Sequence, residues 1–132
     1  MKYLLDTNAW IHFLNGSHPR LVERILAEGP RRLAVSTLSL AELQYGAARS
    51  SRPKANLARV DALRAELHVE PFSEHCAEIF GRVKAGLMKR GKPIADFDIG
   101  IAATALVLRL TLVTDDSGLK QVHGLEVENW AR

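Results

Sequence analysis

A single cysteine among 132 residues, Cys76, leaves no possibility of an internal disulfide and fits a reducing compartment. Long apolar runs are missing as well. The longest, Ile99 to Leu108, is about ten residues, roughly half of what a membrane-spanning helix needs. The apolar run near the N-terminus stops at Asp6, too early for a secretory signal. These absences predict a soluble cytoplasmic protein with no membrane partner. Internal repeats, low-complexity tracts and long linkers are also absent, so residues 1–132 are expected to form one domain. A chain of this length buries about two thirds of its unfolded surface and needs no covalent staples.

Signature motifs of several enzyme classes do not occur. There is no Gly-x-Ser-x-Gly nucleophile elbow, no Walker A loop and no dinucleotide-binding Gly-x-Gly-x-x-Gly. His12, His18, His68, His75 and His123 lack zinc-ligand spacing, and the neighbours His75-Cys76 make a poor chelate. Cys76 shares a helical face with Ile79, Phe80 and Val83, which places it in the core. Trp10, Phe13 and Trp130 read as packing residues.

What is present is an ordinary globular composition, 47% apolar and 25% charged, with a net charge of +3. Basic residues cluster at Arg49, Arg52, Lys54, Arg59 and Arg64, and again at Lys84, Lys89, Arg90 and Lys92. Either cluster alone reads as a solvated helix face; around an acidic pocket they would suit a polyanionic substrate.

Elements alternate along the chain. Strands are predicted at Lys2–Leu5, Arg32–Val35, His68–Glu70, Thr111–Thr114 and Leu125–Glu128. Helices are predicted at Thr7–Leu14, Pro19–Glu28, from a Ser36 cap to Ala48, Pro53–Leu67, Glu74–Arg90, and from Asp96 or Phe97 to Leu110. This alternation predicts an α/β fold: a mostly parallel sheet of about five strands with helices on both faces. In such sheets ligands bind beyond the carboxyl ends of the strands.

Four carboxylates occupy suggestive positions. Asp6 follows the strand Tyr3-Leu4-Leu5, Asp116 follows Thr111-Leu112-Val113-Thr114, and Asp98 lies in the first turn of an almost wholly apolar helix. Glu42 falls in a helical stripe with Leu38, Ala41 and Tyr45, an expectation of burial that a glutamate tolerates only with a partner. Each has a plainer reading. Asp6, Thr7 and Asn8 are all good helix caps, Glu42 falls at the edge of its stripe if the helix is turned slightly, Asp96 is placed to cap the helix that holds Asp98, and Asp115-Asp116 before Ser117-Gly118 is ordinary turn composition. Together, four converging acids repel unless cations neutralise them, which points to a hard-metal site of the phosphodiester-hydrolysing kind.

The segments Leu4-Leu5-Asp6-Thr7-Asn8, Ala41-Glu42-Leu43-Gln44-Tyr45-Gly46-Ala47, Asp96-Phe97-Asp98-Ile99-Gly100-Ile101-Ala102-Ala103 and Leu112-Val113-Thr114-Asp115-Asp116 resemble the PIN-domain ribonucleases, most closely the VapC-type toxins of bacterial toxin–antitoxin pairs. The ending Gly124-Leu125-Glu126-Val127-Glu128-Asn129-Trp130 is similar too. The resemblance implies a PIN fold and a Mg²⁺- or Mn²⁺-dependent endoribonuclease. Asp6, Glu42, Asp98 and Asp116 would be the catalytic metal ligands, Asp96 auxiliary, with Thr7, Asn8 and Thr114 in support. It also implies a homodimer, an RNA substrate, a cognate antitoxin, and contact with DNA only through that antitoxin. Two other readings stay open on the residues: a PIN fold that binds RNA or a partner with little activity, and a receiver-like signalling domain. The latter requires a phosphoacceptor Asp after the third strand, whereas the mid-chain Asp61 falls within a predicted helix.

Overall fold

Three short apolar segments meet at the middle of the molecule. In the computed structural model, which describes Met1–Arg132, β1 (Tyr3–Leu5) lies between β2 (Leu33–Ser36) and β4 (Thr111–Val113). β3 (His68–Glu70) and β5 (Val127–Glu128) complete the sheet in the order β3-β2-β1-β4-β5, and every pairing is parallel. Tyr3 stands opposite both Leu33 and Thr111, and Leu5 opposite Val113. β1 and β2 are buried along their whole length, which is why their residues are apolar without alternation.

The period-two geometry of β1 separates two cores. Tyr3 and Leu5 face α1 (Thr7–Asn15), α2 (Pro19–Glu28), α3 (Thr37–Ala48) and α4 (Pro53–Glu66), packing among Trp10, Leu21, Ile25, Leu43 and Val60. Leu4 faces the other way, toward α5 (Glu74–Lys89) and α6 (Asp96–Leu108), with Leu87, Ile99, Ile101, Ala102 and Ala105. Every residue of α6 from Ile99 to Ala105 is buried. Each leucine so enclosed contributes on the order of 1.5–3 kcal/mol. Cys76, Trp10 and Trp130 are core residues as expected. No helix is long and apolar enough to cross a membrane.

Predicted and observed boundaries differ by a residue or two at several ends. Lys2 is outside β1, yet its amide reaches the Arg32 carbonyl and its carbonyl receives the Thr111 amide, so the ladder frays there rather than stops. Leu125 and Glu126 precede β5, though the Glu126 carbonyl accepts from the Leu112 amide. Short 3-10 turns at Pro30–Arg32 and Ser117–Gln121 were not among the predicted elements.

Candidate active site

Asp6 lies just past the central strand, its amide bonded to the Val113 carbonyl. Its backbone is still extended, and its Oδ1 accepts from the Ala9 amide at 2.9 Å, so Asp6 is itself the N-cap of α1. Of the three capping candidates Asp6, Thr7 and Asn8, the structure selects Asp6; the chain has already entered the helix at the other two. Asp6 is only 6% exposed. Burial pushes its carboxyl up to about 6, against hydrogen bonds from the Thr114 hydroxyl and the Ala9 amide; the charges of Asp115 and Asp98 push it further up.

Glu42 comes from α3, which begins where Ser36 Oγ accepts from the Ser39 amide at 3.0 Å. The buried stripe of this helix is Ser39, Leu43 and Ala47. The expected stripe of Leu38, Ala41, Glu42 and Tyr45 is instead half-buried or exposed, because the helix is turned to seat Leu43 and Ala47 in the core. Glu42 is therefore an edge residue. The Thr7 hydroxyl donates to its Oε1 at 2.5 Å and lies 3.1 Å from Ser39 Oγ, which in turn lies 3.3 Å from Ser36 Oγ. This hydroxyl row ties the glutamate to the start of α1 and orients it.

Asp98 sits one turn into α6. The N-cap of that helix is Ala95, not Asp96. Asp96 is the first helical residue and holds Lys84 Nζ at 2.8 Å, so its assignment as a cap is replaced by a tether to α5. Asp98 is half-buried, and its carboxyl is raised first by burial, then by the charges of Asp116 and Glu42. α6 approaches α3 closely: a Cβ on Gly100 would press on Leu38 Cδ1. A side chain at that position would force the tip of Leu38 to move, so the glycine lets the helix of Asp98 lie close beside the helix of Glu42.

Asp6, Thr7, Asn8, Glu42 and Asp98 line one pocket of about 360 Å³. Asp116 is exposed, caps the turn at Ser117 through Gly118, and lines an adjoining smaller pocket with Thr114 and Lys120. Its charge nonetheless acts on Asp98, while Asp115 lies 3.5 Å from His12 and acts on Asp6. No group of three or more His, Cys, Asp or Glu side chains is drawn tightly enough to hold an ion by direct bonds alone. The donor set still suits Mg²⁺: it is all oxygen and of like charge, with one basic lining residue, Arg49, and magnesium keeps several of its own waters. Of the basic clusters, Arg49 reaches the pocket; Arg59 bonds the Leu14 carbonyl, Arg64 pairs with Asp61, and Arg90 bonds the Gly86 and Gln121 carbonyls. Tyr45, Arg49 and Ser39 were not picked out as site residues. The spacing Glu42, Tyr45, Gly46, Arg49 on one helical face was the available signal.

The raised Asp6 carboxyl has a thermodynamic signature. A buried acid whose folded pKa exceeds its unfolded value binds its proton more tightly when folded, so its contribution to stability is full at low pH and is lost as pH rises from about 4 through about 6. In metal-free buffer, Asp6→Asn is expected to gain on the wild type across that window. The gain is on the order of 3 kcal/mol at most by pH 7.5, less about 1 kcal/mol for a weaker cap. Urea titrations at several pH values measure this; a difference that does not change with pH contradicts it.

A family model described as the PIN domain matches residues 3–125. The chain is 34% identical over 131 residues to ribonuclease VapC2 of Haemophilus influenzae, covering 98% of each. It is 32% identical over 133 residues to the tRNA(fMet)-specific endonuclease VapC of Shigella flexneri, covering 99% of each. Among solved structures, it superposes with a TM-score of 0.89 on a chain of VapBC2 from Rickettsia felis bound to a DNA fragment from their promoter. That match has 31% identity and covers 98% of this chain and 99% of that one.

Proposed function

Because this chain belongs to the PIN-domain family, we propose that it is a metal-dependent endoribonuclease and the toxin of a type II toxin–antitoxin pair. The observation that carries the nuclease reading is the pocket in which Asp6, Glu42 and Asp98, from three separate elements, share one space. Full-length similarity to two named ribonucleases supports it. The likeness to a VapBC2 chain on its promoter supports a partner protein, with DNA met through that partner, and a homodimer is part of the same reading.

Asp6, Glu42 and Asp98 would hold Mg²⁺ or Mn²⁺, with Asp116 at the outer edge. Such an ion, when bound, supplies an activated water and positive charge for the oxyanion at phosphorus. The protein supplies the rest. Burial of Asp6 and the hydrogen bond from Thr114 keep one carboxylate in a fixed, poorly hydrated place. Thr7 and Ser39 hold Glu42 in one orientation. Arg49 offsets the repulsion that a phosphate meets when it approaches three acids.

Purified protein with Mg²⁺ is expected to cut tRNA or ribosomal RNA into discrete fragments; intact RNA at excess protein overturns the reading. Expression alone is expected to arrest bacterial growth, and co-expression of the cognate antitoxin to relieve it. Normal growth with abundant, active protein would remove the toxin role and leave the nuclease.

A further inference from the structure

Tyr45 is 69% exposed, an unusual position for a large aromatic side chain in a helix whose opposite face is core. It stands one turn beyond Glu42 on the rim of the acidic pocket. Arg49, one turn further, lies with its guanidinium carbon 5.6 Å from the centre of the Tyr45 ring. Arg49 has no carboxylate partner, although three carboxylates line the same pocket. Gly46 lies between them, and a methyl group there would meet nothing within 4 Å, so the floor beside the ring is open. An exposed ring, a free guanidinium beside it and a clear floor make a surface on which one flat base can stack while its phosphate finds a cation. Nothing in the core requires this arrangement, since the buried stripe of α3 lies elsewhere.

We propose that Tyr45 and Arg49 form the platform for a nucleotide next to the scissile phosphate: Tyr45 stacks its base and Arg49 takes its phosphate. This rests on the endoribonuclease reading and sharpens it. A base can lie on Tyr45 only if it is unpaired and out of its own stack, so the substrate presents a single-stranded loop or bulge at the cut rather than a duplex. Tyr45 and Arg49 are positioning residues; they bind the strand and leave the bond-breaking to the acids.

The test is steady-state cleavage of an oligoribonucleotide spanning the cut site. Tyr45→Ala is expected to raise KM by about tenfold, the scale of one lost base–aromatic stack, with kcat nearly unchanged. Tyr45→Phe, which keeps the ring, restores KM, and the melting temperature of both variants matches the wild type because the ring is exposed. A series of substrates with one abasic nucleotide at a time then locates the base. At a single position the wild type and Tyr45→Ala become equal. An unchanged KM in Tyr45→Ala overturns the platform, as does an equal rise in Tyr45→Phe or a difference that persists at every abasic position. Unchanged KM with weakened antitoxin binding would assign the ring to a protein interface instead. Cleavage by the wild type in the same assay separates these failures from a failure of the nuclease reading.

Discussion

Asp98→Asn is expected to lower turnover by about two orders of magnitude or more, the scale of losing a group that stabilises charge in the transition state. Asp96→Asn is expected to keep most of it. The two acids are separated by a single residue, and the structure gives them different work. Asp98 is half-buried over the pocket, its carboxyl raised by burial and by Asp116 and Glu42. Asparagine keeps its shape and removes the charge, so the fold should persist and metal-free stability should not fall. Asp96 faces solvent and holds Lys84, an exposed pair whose loss costs about 0–1 kcal/mol. Turnover of both variants on one RNA decides the matter. A dead Asp96→Asn beside a normal Asp98→Asn would reverse the assignment.

Cleavage is expected to stop in excess chelator and to return on addition of Mg²⁺ or Mn²⁺. The pocket contains three carboxylates and one basic lining residue, Arg49, so the protein alone does not balance the charge. Addition of Mg²⁺ should raise the melting temperature by mass action, and that gain should disappear in Asp98→Asn. Full cleavage in chelator would mean that these carboxylates act by another chemistry.

Most of the scaffold was readable because its signals are local. Tyr3-Leu4-Leu5 and Leu33-Ala34-Val35 are unbroken apolar runs, which identify buried parallel strands. Ser36 and Pro53 mark helix starts by their own chemistry. The rotation of α3 was not readable. Leu38, Ala41 and Tyr45 make one apolar face and Leu43 and Ala47 another, and only the neighbouring sheet and α4 decide which is covered. That ambiguity concealed Tyr45 as a surface residue. Asp6 was singled out by its place at a strand end and Asp98 by the first turn of a buried helix, and both line the pocket; Glu42 lines it too, although the stripe that singled it out is not the buried one. Asp116 caps the turn that Asp115-Asp116-Ser117-Gly118 predicted, and that turn leaves it exposed and outside the lining that Asp6, Glu42 and Asp98 share, a placement set by tertiary geometry.

The pairing of β1 with β4 joins Tyr3 to Thr111 and Leu5 to Val113. During synthesis, a chain growing from its N-terminus cannot close that pair until Val113 has left the ribosome, so β1 waits with one edge open while most of the protein is made. Asp6 is translated early, but the partners that give it its environment, Asp98 and Thr114, arrive late. A nuclease built in this order is inert through most of its own translation. Its site is complete only when the last third of the chain has joined the fold, and an inhibitor would have until then to be in place.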